Sequence, residues 1–503
     1  MFSDRTNPKH ARPRRWDARL AWLFARRTLE SFQHGRLELV CPEQTYFGGN
    51  PEEGPGATIV VHDKRFFSRV LWREEIGMGE SYVDGDWSSP DLVAVARFAI
   101  RNVGELNRRN RCTSALHRWR MRLVHSLRAN TPRGSRKNIH YHYDLSNEFF
   151  RLFLDPTMAY SCAHFTSAED SLEKAQLAKY ERICRKLMLQ PEDHLLEIGT
   201  GWGGLALHAA KHYGCRVTAT TISRDQHDYA RDLFQHSGLL GSRLELLSQD
   251  YRELRGQYDK LVSVEMFEAV DYTHYDEFFA VCDRLLTRDG SMLLQTITVP
   301  DQRFAEYLEY ADWIQTYIFP GSELSAVGEI MNSIARATHL ELHHAEEIGQ
   351  HYARTIALWR ERFRSAEPQV RALGFDDRFI RMWEYYLAIC EASFLERNTG
   401  NVQLVLAKAG TRKPLWGEPQ EKAEIVELDM AEEPVESAAA EQAEGQRPSA
   451  GAAQSVPGKV SRAGTIQPSG FTTPFTQYAT TPDRISSPPN ASADIPSTDS
   501  CSP

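Results

Sequence analysis

The run Leu195-Leu-Glu-Ile-Gly-Thr-Gly-Trp-Gly-Gly204 limits what this chain can fold into more than any other segment. Residues 195–198 read as a short buried strand, and the glycines after it break into a tight turn that opens a helix. Gly199, Gly201 and Gly203 allow backbone conformations closed to other residues and let the main chain approach a ligand. Glu197 puts a carboxylate at the end of the strand. In an open α/β sheet, ligands sit at this carboxyl edge. The spacing is E-x-G-x-G-x-G, not the G-x-G-x-x-G of dinucleotide folds. An acid before the turn and a third glycine two residues after the second point to S-adenosylmethionine in place of NAD.

The surrounding pattern predicts the sheet that carries this turn. Strand-like runs at 195–199, 216–222, 244–247, 260–264 and 291–297 alternate with helical segments ending near 213, 238 and 286, and a last strand spans 402–407. Such alternation implies a largely parallel sheet covered on both faces, a Rossmann-like α/β fold of seven strands. Aromatic helical segments at 304–319, 359–363 and 379–395 are expected to cap the carboxyl edge and enclose a substrate cavity. Residues 1–130 read as a small α+β domain. It has an arginine-rich helix at 16–31, β-like pieces at 36–40, 57–61 and 67–71, and a piece at 77–87 that leads into another helix. The main domain is expected over 131–410. From 411 to 503 the composition turns to Glu/Ala/Pro and then Ser/Thr/Pro/Gly, too poor in large apolar residues to offset ordering entropy, so a disordered tail is expected.

Composition narrows the function classes. The 503 residues, 41% hydrophobic, suffice for more than one core. No stretch approaches the roughly 18 apolar residues of a membrane span, and the polar start lacks an apolar secretory core, so a cytoplasmic protein is expected. Eight cysteines without a C-x-x-C pair indicate neither a metal site nor a disulfide framework. The net charge of −9 hides an asymmetry: residues 1–137 carry 25 basic and 15 acidic side chains. Eleven of the basic residues lie in 101–137 against the single acid Glu105, with Leu116, Trp119, Leu123, Val124 and Leu127 interleaved at helical spacing. A basic amphipathic helix suits the anionic surface of a membrane, and no nucleic-acid reading motif stands beside it.

The remaining polar clusters fall at the ends of the predicted strands. Thr221, Ile222 and Gln226 follow the second strand. Asp250 and Tyr251 follow the third and offer a carboxylate and a ring to an adenine. Glu265 and Glu268 follow the fourth. Upstream, Asn138-Ile-His-Tyr-His-Tyr-Asp-Leu-Ser-Asn147 and Met158-Ala-Tyr-Ser-Cys-Ala-His164 are dense in polar and aromatic groups.

In order and interval, H-Y-D-L-S-N, Y-S-C-A, L-E-I-G-T-G-W-G-G-L-A, T-I-S-x-x-Q and M-F-E resemble the cyclopropane-fatty-acyl-phospholipid synthases and their mycolic-acid relatives, over about residues 35–410. The resemblance implies methyl transfer from S-adenosylmethionine to a cis double bond of a membrane phospholipid acyl chain, then proton loss and ring closure. It implies a homodimer, peripheral membrane association, and cofactor contacts at Tyr160, Ser161, Glu197, Gly199, Gly201, Gly203, Thr221, Ile222, Gln226, Asp250 and Tyr251. A carbocation intermediate would be lined by aromatics, with Tyr160, Phe165, Tyr310, Trp313, Tyr317, Phe319 and Tyr352 as candidates. The family is also thought to hold a bicarbonate ion that takes the proton, bound by a cysteine main chain, a glutamate, a histidine and a tyrosine. Cys162, Glu268 and Tyr352 match those positions, whereas Gln295 of Leu293-Leu-Gln-Thr-Ile297 stands where the histidine would be. Glutamine donates a hydrogen bond but carries no charge and shuttles no proton. Together with Ile297-Thr-Val-Pro-Asp301 and Tyr317-Ile-Phe-Pro-Gly321, it makes the chain resemble a glutamine-bearing branch that includes plant cyclopropane synthases and assorted bacterial methyltransferases. Methylation of an acyl or sphingoid double bond without ring closure is one alternative, and a membrane-binding protein without catalysis is another.

Overall fold

The computed structural model describes residues 26–50, 52, 54–109, 145–309 and 311–416, all within one compact unit. The first sheet has the order β2-β1-β3-β4. Strand β1 (Gly35–Val40) pairs antiparallel with β2 (Thr45–Asn50) and parallel with β3 (Gly56–Val61), and β4 (Trp87–Ser88) closes the edge. Leu37 and Leu39 of β1 and Ala57, Ile59 and Val61 of β3 alternate inward, the period-two pattern of a half-buried sheet. Two helices pack here, α1 (Arg65–Val83) and α2 (Leu92–Arg109).

One expected strand is instead helical. Phe67, Val70 and Leu71 lie on α1, and their spacing of three and four is that of one helix face. The Asp63 carboxylate accepts from Arg65 N–H at 2.8 Å and starts the helix, which breaks at Glu74 (φ 48°, ψ −124°) and resumes. The predicted helix at 16–31 falls within the described residues only from 26. The basic stretch is described to Arg109, where it continues α2; Arg97 and Arg101 both hold Glu396, at 2.6 and 2.7 Å.

The second sheet has seven strands in the order β10-β11-β9-β8-β5-β6-β7. Strands β5 (His194–Ile198), β6 (Arg216–Thr220), β7 (Leu244–Leu247), β8 (Tyr258–Val264) and β9 (Leu286–Thr298) run parallel, while β10 (Leu340–Glu347) and β11 (Gly400–Lys408) add an antiparallel edge. Six of the seven are read from the sequence. The missed strand, β10, is an exposed edge in which only Leu340 is buried, so charged and histidine side chains conceal its pattern.

The helices of this part begin with α3 (Asn147–Arg151), α4 (Leu172–Lys186), α5 (Gly204–Tyr213), α6 (Arg224–His236) and α7 (Tyr275–Leu285). Those beyond β9 are α8 (Asp301–Tyr307), α9 (Trp313–Tyr317), α10 (Val327–Ala337), α11 (Gly349–Ser365), α12 (Glu367–Ala372) and α13 (Asp377–Leu395). No helix among the described residues is long and apolar enough to cross a membrane. Past the expected boundary at 410 the chain still packs: Lys413 reaches Asp259 at 2.9 Å and Leu415 is buried. The remainder of the expected tail, from 417, lies outside the described residues.

One hydrophobic cluster joins the small sheet to the helices that cap the large one, running from Leu39, Trp87 and Phe98 to Phe149, Trp359 and Trp383. Arg381 of α13 clamps them, donating to Tyr82 O at 2.7 Å and Trp87 O at 2.8 Å with its guanidinium 4.0 Å from the Tyr82 ring centroid. Gly79 of α1 lies flat against Trp313, where an added Cβ would fall 2.3 Å from the indole nitrogen. Gly79→Val is therefore expected to lower stability by roughly 1–3 kcal/mol through overpacking. An unchanged thermal unfolding midpoint would contradict this contact.

Candidate active site

The glycine turn leaves β5 and enters α5 with Gly199, Gly201 and Gly203 at φ 86°, 56° and 90°. An added Cβ would strike Met266 at Gly199 (2.6 Å) and Phe234 at Gly203 (2.7 Å), but would meet nothing within 4 Å at Gly201. Two of these glycines thus make room for protein neighbours, while Gly201 faces open space. Glu197 beneath the turn is buried, accepts from Thr200 Oγ1 at 2.6 Å, and is pushed up to about 7 by that burial. At the end of β6, Thr221 Oγ1 meets Gln226 Oε1 at 3.1 Å, and Ser223 caps α6. After β7, Asp250 holds Arg252 through both oxygens (2.9 and 2.7 Å), and Tyr251 sets its ring against Phe278 at 5.3 Å.

These ends open into one cavity of about 1860 Å³. Its walls include Gly199, Gly201, Thr221, Ile222, Gln226, Asp250 and Tyr251, and also Tyr160 and Ser161 from the upstream motif. Tyr160 meets Tyr386 hydroxyl to hydroxyl at 2.9 Å. Ser161 accepts from Lys179 Nζ at 2.7 Å; burial of that ammonium pulls it down to about 8. Gly203 stands behind the turn and outside the lining. Of the aromatic candidates, Tyr160, Trp313, Phe319 and Tyr352 line the cavity. Phe165 instead sits under Arg354, and Tyr317 donates to Glu80. Tyr310 lies outside the described residues, as does the motif from 138 to 144.

The carboxylate of Glu265 gathers the polar groups deepest in the site. Its Oε1 accepts from Cys162 N–H at 3.0 Å, Gln295 Nε2 at 2.8 Å and Asn401 Nδ2 at 2.7 Å, and its Oε2 from the Tyr352 hydroxyl at 2.6 Å. Glu268 turns aside. Its Oε1 accepts from Ile297 N–H at 2.6 Å and Thr296 Oγ1 at 3.1 Å, while its Oε2 is buried without a partner. Burial, and next the charge of Glu265, hold the Glu268 carboxyl well above the usual range. Gln295 is oriented from behind: its Oε1 accepts from Gln403 Nε2 at 2.9 Å, and Gln403 Oε1 from the fully buried Lys186 at 2.7 Å. Lys186 in turn pairs with Glu346.

The structure thus brings Cys162, Gln295 and Tyr352 together on one acceptor and leaves Glu268 beside it. Sequence reasoning placed Glu265 at this edge without giving it a role, and it overlooked Asn401 and Lys179. The run V-E-M-F-E was the available signal for Glu265. Nothing local distinguishes Lys179 from its helical neighbours.

The sequence profile described as mycolic acid cyclopropane synthetase matches residues 130–404. The chain belongs to this family. As such it is an S-adenosylmethionine-dependent methyltransferase. It is 38% identical over 389 residues to a tuberculostearic acid methyltransferase of Mycobacterium tuberculosis, covering 75% of this chain and 89% of the relative. It is 37% identical over 356 residues to the cyclopropane-fatty-acyl-phospholipid synthase of Escherichia coli K12, covering 70% and 88%. Two solved structures are also similar. The cyclopropane synthase MmaA2 of Mycobacterium tuberculosis superposes with a TM-score of 0.51 at 31% identity, covering 54% of this chain and 98% of that one. A mycolic acid cyclopropane synthase complexed with SAH and CTAB gives 0.51 at 33%, with the same coverage.

Glu197 makes a pH prediction. Because its carboxyl titrates near 7 when folded and near 4.5 otherwise, the folded state holds the extra proton between these values. Its contribution to stability is complete below about 4.5 and is lost as pH rises through about 7. Glu197→Gln should flatten the stability profile across this window by on the order of 2 kcal/mol. Urea unfolding at both ends of the window checks it; parallel profiles for the two proteins would contradict the burial argument.

Proposed function

We propose that this methyltransferase acts on the cis double bond of an unsaturated acyl chain in a membrane phospholipid and forms a cyclopropane fatty acid. The cavity carries this reading. It extends from the glycine turn past Glu265 and Glu268 to Leu39, Ile59, Phe66 and Leu71 of the small sheet and its first helix. Its volume exceeds the roughly 300–1,000 Å³ of ordinary small-molecule pockets, and its far wall is mostly apolar, with Arg73, Glu74 and Glu75 as the charged members from that helix, which suits a long hydrocarbon chain.

The open face of Gly201 fits close approach of a cofactor, and Tyr160, Ser161, Gly199, Thr221, Ile222, Gln226, Asp250 and Tyr251 would hold it, with Glu197 supporting the turn. When bound, S-adenosylmethionine supplies an electrophilic methyl group. An alkene is a weak nucleophile, so the task of the protein is positioning in a water-excluded site. Aromatic faces of Tyr160, Trp313 and Phe319 are suited to a passing carbocation. The basic stretch 101–137 supports docking on an anionic bilayer from the cytoplasmic side, and the family resemblance supports a homodimer. A second reading, methylation without ring closure, draws on Gln295 in the histidine position and on similarity to the tuberculostearic acid methyltransferase.

Incubation with labelled S-adenosylmethionine and liposomes of cis-unsaturated phospholipid, followed by proton NMR of the extracted chains, is expected to give high-field cyclopropyl signals. Methyl-branched product would favour the second reading. Gly201→Val should abolish S-adenosylhomocysteine binding in calorimetry, because the side chain enters the open space; unchanged affinity would refute this placement of the cofactor.

A further inference from the structure

We propose that Glu265 is the base of the reaction, a carboxylate built into the chain at the seat where the family resemblance calls for bicarbonate. The proposal rests on the acyl-chain reading above.

The groups expected to hold that anion are already engaged. The Cys162 N–H, Gln295 Nε2 and Tyr352 hydroxyl all donate to Glu265, and Asn401 adds a fourth donor. A carboxylate and bicarbonate present the same planar pair of acceptor oxygens, so one set of donors serves either. Access settles which is served. Cys162, Gln295 and Asn401 are fully buried and outside the cavity lining, whereas Glu265 and Tyr352 line it. An anion arriving from the cavity would meet the Glu265 carboxylate and the Tyr352 hydroxyl already bonded to it, with the other three donors closed off behind them. Bicarbonate therefore does not fit this site.

The backbone supports a specialised role. Glu265 has φ 50°, a left-handed backbone that residues other than glycine seldom adopt. Its N–H is tied to Gln295 O at 2.8 Å, so the strand that supplies a donor also holds the strain. Such held conformations gather at functional sites. The Lys186–Gln403–Gln295 relay orients the Gln295 amide so that its N–H, not its carbonyl, faces Glu265. Burial, and next the charge of Glu265, raise the Glu268 carboxyl, which disfavours a second charge beside Glu265.

The step balances on the chain's own groups. As the alkene π pair forms the new C–C bond to the methyl carbon, the C–S bond breaks with its pair on sulfur, and the other alkene carbon becomes positive. Glu265 takes a proton from the transferred methyl, and the pair of that C–H bond closes the ring on the cationic carbon. The carboxyl then releases its proton to water. Without ring closure, the proton would come from the methylene beside the cation and leave a double bond.

The test uses the full-length protein and two readouts. Carbon-13 NMR of labelled bicarbonate is expected to show no line broadening with the wild type and clear broadening with Glu265→Gly, which empties the seat and suits the left-handed backbone. Turnover is measured with S-adenosylmethionine on vesicles of dioleoylphosphatidylglycerol in carbon-dioxide-depleted buffer. Wild-type turnover should not respond to added millimolar bicarbonate. Glu265→Gly should lose about 100-fold or more, the scale of a lost general base, and regain part of it with bicarbonate. Glu265→Gln, equal in shape, should keep S-adenosylhomocysteine affinity and lose turnover without rescue. Broadening or stimulation of the wild type by bicarbonate, or near-normal turnover of Glu265→Gln, overturns the proposal. If the wild type yields no lipid product, the acyl-chain reading fails by itself, while the binding comparison, which needs no turnover, still decides whether Glu265 fills the seat.

Discussion

Four separate segments of the chain meet on one buried carboxylate. Cys162 comes from the loop before α4, Gln295 from β9, Tyr352 from α11 and Asn401 from β11, and each gives Glu265 a hydrogen bond. Donors withdrawn from water cost on the order of 1–3 kcal/mol each if left unmade, so a single acceptor satisfying four of them ties the cap, the sheet and the upstream motif into one arrangement. The pairing of Gln295 with Gln403 directly across β9 and β11 extends this network to Lys186.

The second constraint is the shared hydrophobic cluster. Because the small sheet and the cap of the large one have a common core, the substrate cavity is bounded by both. The glycine turn, Glu265 and Glu268 stand at the carboxyl edge of the large sheet, while the small sheet supplies apolar wall and α1 adds Phe66, Phe67, Val70 and Leu71 together with the charged Arg73, Glu74 and Glu75. This division suits a substrate whose reacting atoms are few and whose bulk is apolar. It also explains why no residue-level readout of chain length is visible, since apolar contact is not directional.

Electrostatics divides two neighbouring carboxyl groups. Glu265 has four donors, whereas Glu268 has two on one oxygen and none on the other, and the proximity of a first negative charge disfavours a second. Two acids three residues apart in sequence thus acquire different chemistry from their surroundings.

Local patterns in the sequence determined the glycine turn, the alternating strands and helices, and the order of motifs that marks the family. These depend on backbone freedom and on periodicity within a few residues, which a single chain displays directly. Short segments were less legible: Phe67, Val70 and Leu71 fit a strand by composition, and only the packed helix face separates the readings. An exposed edge such as β10 has too little buried surface to impose alternation. The choice between Glu265 and Glu268 belonged to the tertiary structure alone. Both lie in V-E-M-F-E, and which of them accepts from Cys162, Gln295, Tyr352 and Asn401 depends on donors more than 100 residues distant in sequence on one side, and as near as 30 on the other. Hydrogen-bond reach is about 3 Å, so that partnership exists only once the sheet and its cap have closed around it.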